Sequence, residues 1–138
     1  MDIKVGDKFS RSRLITDELV RAFAEVSGDY NPIHLDEEFA KTTRFGKRIA
    51  HGMLSGALIS AVLGDELSVR KIVYLSQTLK FISPVFIGDT ITATGTVSRI
   101  REDKPIVTIE MVCSNQNGET VVTGEGAVMI LKEVADEE

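Results

Sequence analysis

The chain has 138 residues and a net charge of −5, from 16 basic and 21 acidic side chains. Hydrophobic residues make up 43% and charged ones 27%, the balance of a folded soluble domain rather than a disordered one. A single domain over residues 1–138 is expected, and an acidic chain without a dense Lys/Arg block excludes a nucleic-acid backbone as its main partner.

The opening run MDIKVGDKFS has no apolar signal core. The longest nearly apolar stretch, residues 53–64, falls short of the about 20 residues that a bilayer requires. The expectation is a cytoplasmic protein with no membrane partner. Cys113 is the one cysteine, so neither an intramolecular disulfide nor a multi-cysteine metal site is available.

The first half of the chain reads as helical. Thr16 caps a helix with Asp17 and Glu18 in its first turn, where acidic groups suit the dipole. Leu19, Phe23 and Val26 form its apolar stripe, widened by Val20 and Ala24, and Gly28 stops it. Asn31–Pro32 reads as cap and first position of a short helical turn, and Asp36 caps another over residues 37–41. A helix over residues 52–63, GMLSGALISAVL, is apolar on nearly every side and needs a wrapper. Its Gly52 and Gly56 allow another backbone or a ligand to come close.

The second half alternates with period two. One strand is expected over residues 72–82, before Pro84, and a second over 90–98, with Ile91, Ala93, Gly95 and Val97 on one face. Val107, Ile109, Met111 and Cys113 mark a third strand, Asn117–Gly118 a hairpin, and residues 121–131 the return strand. Strands joined by short turns make an antiparallel sheet, and curling it around the apolar helix gives a two-layer α+β domain. The acidic ADEE terminus is expected to fray.

The two histidines, His34 and His51, flank one short region. Asp29 and His34 are separated by a tight turn that could bring carboxylate and imidazole to one side, the pair that activates water. Spacing alone leaves open that Asp29 ends a helix and His34 is structural. Gly52 opens the apolar helix, so its N–H lacks an intrahelical acceptor and could hold a developing oxyanion; close packing of that helix is the alternative.

Taken together, GDYNPIHLDEEFA, RIAHGMLSGALISAVLG and FISPVFIGDT resemble the MaoC-like, R-specific enoyl-CoA hydratase family, in order over nearly the whole chain. The resemblance implies a hot dog fold, an antiparallel sheet wrapped around a long central helix. It also implies a homodimer or higher homo-oligomer, and hydration of trans-2-enoyl-CoA to (R)-3-hydroxyacyl-CoA with no metal and no cofactor beyond the thioester substrate. Carried over by position, Asp29 and His34 are the catalytic dyad, Asn31 orients it by hydrogen bonding, and the Gly52 N–H contacts the thioester oxygen.

Other residues receive structural readings. His51 is expected to pack or cap, pointing away from a site formed by the next amide. Ser55 and Ser60 lack a neighbouring base, and Cys113 is expected to be an inert core group. Arg44, Lys47 and Arg48 form a basic cluster that either meets the CoA phosphates or stays a solvated loop. Two other functions compete: dehydration of 3-hydroxyacyl groups on acyl carrier protein, which an acidic surface would not help to dock, and a non-catalytic acyl-CoA-binding module, which would not need the dyad. A hot dog thioesterase would place a carboxylate on the central helix, and residues 53–63 contain none.

Overall fold

The alternating second half of the chain becomes an antiparallel sheet in the computed structural model, which describes residues 3–132. Strand β1 (Lys8–Leu14) pairs with β4 (Thr90–Ile100), which is followed across the sheet by β5 (Ile106–Ser114), β6 (Thr120–Ile130) and β2 (Ile72–Gln77). A two-residue strand, β3 (Lys80–Phe81), also pairs with β6. The alternation does what period two requires: Ile91, Ala93 and Val97 of β4 and Val107, Ile109, Met111 and Cys113 of β5 all point into the core. The turn at Asn117–Gly118 closes with Gly118 in the left-handed region at φ 77°.

Helix α1 (Asp17–Ser27) starts with the Thr16 hydroxyl accepting from the Leu19 amide and stops at Gly28. Two single-turn helices follow, α2 (Pro32–Leu35) and α3 (Glu37–Ala40), capped by Asn31 and Asp36. Helix α4 (Gly52–Ala61) packs against the sheet over β1, β4 and β5, sending Leu54, Leu58 and Ile59 into the core with Ile91, Val97 and Ile109. This is the expected α+β architecture of a sheet against a central helix.

Four local readings are corrected. Helix α4 ends at Ala61, and the chain continues as a wider π-helical turn, Val62–Glu66. Nor is α4 wrapped on every side: Met53, Ala57 and Ser60, at i, i+4 and i+7, form an exposed stripe. The strand expected over residues 72–82 is split into β2 and β3, which keep one register against β6; the ladder breaks at Thr78, where the Glu125 amide donates to the side-chain hydroxyl instead of the backbone carbonyl. The Thr78 amide donates to the Glu125 carbonyl, and a side chain on Gly124 would collide with the Thr78 carbonyl. On α1, Val20 and Ala24 carry the burial while Val26 is 83% exposed. Leu19 and Phe23 are half-buried and pack against the core as expected, and with Val26 they line a cavity of about 410 Å³ between α1, α4 and β1. The fraying expected at ADEE lies outside the described residues. Among the described residues no helix is long and apolar enough to cross a membrane.

Candidate active site

The segment after α1 is built from side chains that cap their own backbone. One Asp29 oxygen, Oδ1, accepts from the Asn31 amide at 3.1 Å, and Asn31 Oδ1 accepts from the Ile33 amide at 3.0 Å. Two consecutive Asx turns thus start α2 and leave the second Asp29 oxygen, Oδ2, pointing elsewhere. It faces His34 Nε2 at 3.8 Å.

His34 is 9% exposed, whereas the Asp29 side chain is half-exposed. The imidazole Nδ1 lies 2.8 Å from the Ile49 carbonyl oxygen, which can only accept. Nδ1 therefore carries the proton and Nε2 presents a lone pair toward the carboxylate. Burial is the main influence on this ring and pulls its pKa below 6.5; the Ile49 bond and Asp29 oppose that, and nearby His51 adds to it. Two acceptors facing one another at this separation call for a group that donates to both, and a water molecule has two hydrogens to give.

The Ile49 carbonyl is held by two ties on its own stretch of chain. The Ile49 amide donates to the Ile33 carbonyl, and the Ala50 amide donates to the Val85 carbonyl in the bridge that pairs Ile49 with Phe86. Arg48, 8% exposed, donates from Nε to the His34 carbonyl at 2.8 Å and from Nη2 to Asp17 Oδ1 at 2.6 Å. It is neither a phosphate ligand nor a solvated loop residue, which corrects both readings of the basic cluster at this position. Arg44 stacks on Phe45 and Lys47 on Phe86, and both keep their charge at the surface.

His51 packs as expected, against Phe23 and His34, but its capping role and its direction are corrected. Its side chain makes no cap for α4 and points toward the site, stacking on the His34 ring with centroids 3.8 Å apart. Gly52 follows, and its amide has no acceptor among the described residues. Phe81 lies against it, and Leu79 against Gly56, so the packing reading of these glycines holds. A cavity of about 460 Å³ opens at Gly52, lined by Arg44, Phe45, Met53, Ser55 and Phe81.

Asp29, His34 and His51 each offer a ligand atom, all within 4.8 Å of one another. The two imidazoles are nearly parallel, inclined by 27°. Nitrogen lone pairs lie in the ring planes, so these two do not converge on one ion at the roughly 2.1 Å that a metal needs. Cys113 sits inside the sheet, and burial pushes its thiol up to about 11. Ser55 is buried and Ser60 exposed, and neither has a base beside it among the described residues. Sequence reasoning missed the roles of the Ile49 carbonyl, Arg48 and Phe81 and the aim of His51. Arg48, Ile49 and His51 lie in the RIAHGM run and Phe81 in the FISPV run, but a run of residues does not show where its side chains point.

Residues 3–123 match the family model described as a MaoC like domain. An (R)-specific enoyl-CoA hydratase from Aeromonas caviae is 44% identical over 93% of this chain and 96% of its own length. Another from Rhodospirillum rubrum is 46% identical over 94% of this chain and 89% of its own length. The solved structure of an (R)-hydratase from A. caviae superposes with a TM-score of 0.91, at 44% identity, covering 94% of this chain and 98% of that one.

Proposed function

This chain belongs to the MaoC-like domain family, and we propose that as one domain over residues 1–138 it is an (R)-specific enoyl-CoA hydratase acting through Asp29 and His34. The observation that carries the site assignment is the pair of facing acceptors. Asp29 Oδ2 and the bare Nε2 of His34 stand 3.8 Å apart, a gap that one water closes by donating to both.

A water that gives both hydrogens to bases turns its lone pairs outward, where they can attack. The thioester oxygen of a trans-2-enoyl-CoA rests on the Gly52 amide, which draws electrons from the conjugated double bond and leaves C3 electrophilic. The water oxygen bonds to C3 as the dyad takes one of its protons. The π electrons move toward C2 and the thioester oxygen, forming an enolate that the head of α4 stabilises. The dyad then returns the proton to C2 on the same face, and the carbonyl re-forms. Asn31 serves the dyad through its backbone N–H on Asp29, its side-chain oxygen being used to cap α2. Hydration is redox-neutral and both bases come from the chain, so the reaction calls for no cofactor beyond the substrate.

Homodimerisation in the cytoplasm belongs to the same reading. The exposed side chains of Met53, Tyr74, Leu75, Phe81 and Ile82 cluster near the β2 edge of the sheet, a patch suited to a second copy.

The test is hydration of crotonyl-CoA and longer enoyl-CoAs, followed by loss of the enoyl-thioester ultraviolet absorbance, with chiral analysis of the product. The (R)-3-hydroxyacyl-CoA is expected. Absence of turnover by folded protein on all of them would overturn the assignment.

A further inference from the structure

His51 touches both members of the dyad and belongs to neither. Its Nε2 lies 2.9 Å from the backbone carbonyl oxygen of Asp29, which can only accept, so that nitrogen carries the proton. Its ring stacks on His34 at 3.8 Å, and Phe23 packs against it at 4.9 Å. Its other nitrogen, Nδ1, is buried with no partner. A residue present only to satisfy the core would not leave a polar atom unpaired there, because an unmet buried group is costly.

The geometry shows what His51 holds. The hydrogen bond from His34 Nδ1 to Ile49 sets which nitrogen faces Asp29, but it leaves the imidazole free to rock about that bond. A second ring nearly parallel to it fixes the plane. Asp29 sits in a loop with a half-exposed side chain, and the bond from His51 ties down its backbone. One side chain therefore spans from the backbone of the first base to the ring of the second.

We propose that His51 is a positioning residue of the hydration, its ring fixing the plane of His34 and its Nε2–H fixing the backbone of Asp29, so that the gap between the two bases stays one water wide. The inference rests on the hydratase reading above. It concerns geometry around the water, so its loss lowers kcat and leaves thioester binding nearly intact.

The experiment measures crotonyl-CoA hydration by wild type, His51→Phe, His51→Gln and Asp29→Asn. Phenylalanine keeps a flat ring and loses the donor; glutamine keeps an N–H near the Nε2 position and loses the ring. Each His51 variant is expected to lower kcat about 10- to 100-fold, the scale of a misplaced reacting group. KM should stay within about threefold, since a uniform binding contact is not removed. Long-range proton–nitrogen NMR of the wild type should show the proton on Nδ1 of His34 and on Nε2 of His51.

A folded His51→Phe or His51→Gln enzyme with wild-type kcat, or one in which KM alone rises, overturns the role of His51 while the dyad stands. A wild-type spectrum with the His51 proton on Nδ1 overturns it too, and decides the matter if the variants do not fold. Full turnover by Asp29→Asn overturns the dyad itself, and the role of His51 with it.

Discussion

Phe81 lies over Gly52 at the head of α4, so close that a Cβ on the glycine would come within 2.8 Å of the ring's Cε1. The ring is 53% exposed and can swing outward, so Gly52→Ala should fold with little change in melting temperature. Its methyl group and the displaced ring would crowd the place where the thioester oxygen meets the amide. We expect kcat/KM on crotonyl-CoA to fall about tenfold or more, approaching the roughly 10²–10³ of a donor removed outright. Unchanged kcat/KM would argue that the thioester binds elsewhere.

Asp29→Asn and His34→Gln should each lower kcat by about 10²–10⁴, the range for a general acid or base. Asp29 is half-exposed and its Oδ1 contact to the Asn31 amide survives in an amide, so Asp29→Asn should leave stability nearly unchanged. Circular dichroism melts beside the kinetics separate lost chemistry from lost structure.

The pH response follows from the burial of His34, which places its folded pKa below 6.5. Above 6.5 the ring is neutral in both folded and unfolded chains, and stability is independent of it. As pH falls through 6.5 the unfolded chain takes up the proton first, so stability declines until the folded pKa is reached. The acidic limb of kcat/KM should likewise lie below 6.5. Urea midpoints at a series of pH values check the first statement, and His34→Gln should flatten the slope.

Arg48 and Arg21 both contact Asp17, yet they should differ sharply. Arg21 is an exposed i,i+4 partner, and Arg21→Ala should cost no more than about 0.5 kcal/mol. Arg48 is buried and also satisfies the His34 carbonyl, so Arg48→Met should cost about 1–3 kcal/mol through that unmet group. Chemical denaturation of the two variants gives both numbers.

The exposed stripe of α4 supplies a test of self-association. Met53 is 56% exposed, and Leu75 lies on the same apolar patch. Met53→Glu and Leu75→Asp should convert a dimer to monomers in sedimentation velocity. Wild-type protein that sediments as a monomer at every concentration would remove the homodimer from the proposal.

Much of the site could be read from the residues because it is local. Asp29, Asn31 and Asp36 cap the backbone two residues on, and such bonds depend on sequence spacing alone. The Ile49 carbonyl, Arg48 and Phe81 reach the site from positions distant in the chain, and no periodicity shows which loop will meet which helix. The apolarity of α4 predicts more burial than the helix has, for a related reason. Hydrophobicity marks what avoids water, and it does not tell a core face from one left open beside Met53. The same blindness hid the cavity lined by Leu19, Phe23 and Val26: their spacing is right for a helix, but spacing carries no information on whether the opposite wall makes contact.

The two bases, the caps that aim them, the carbonyl that orients the imidazole and the amide at the head of α4 all fall within the stretch from Asp29 to Gly52. The strands contribute none of the proposed reacting groups, and their reach to this stretch is through Phe81 of β3, which lies over Gly52. The proposed chemistry and its surroundings are thus carried by different parts of the gene product, joined where Phe81 meets Gly52. Away from that contact, substitutions along the strands are free to drift across generations, while the proposed reacting groups travel as a compact, heritable cassette.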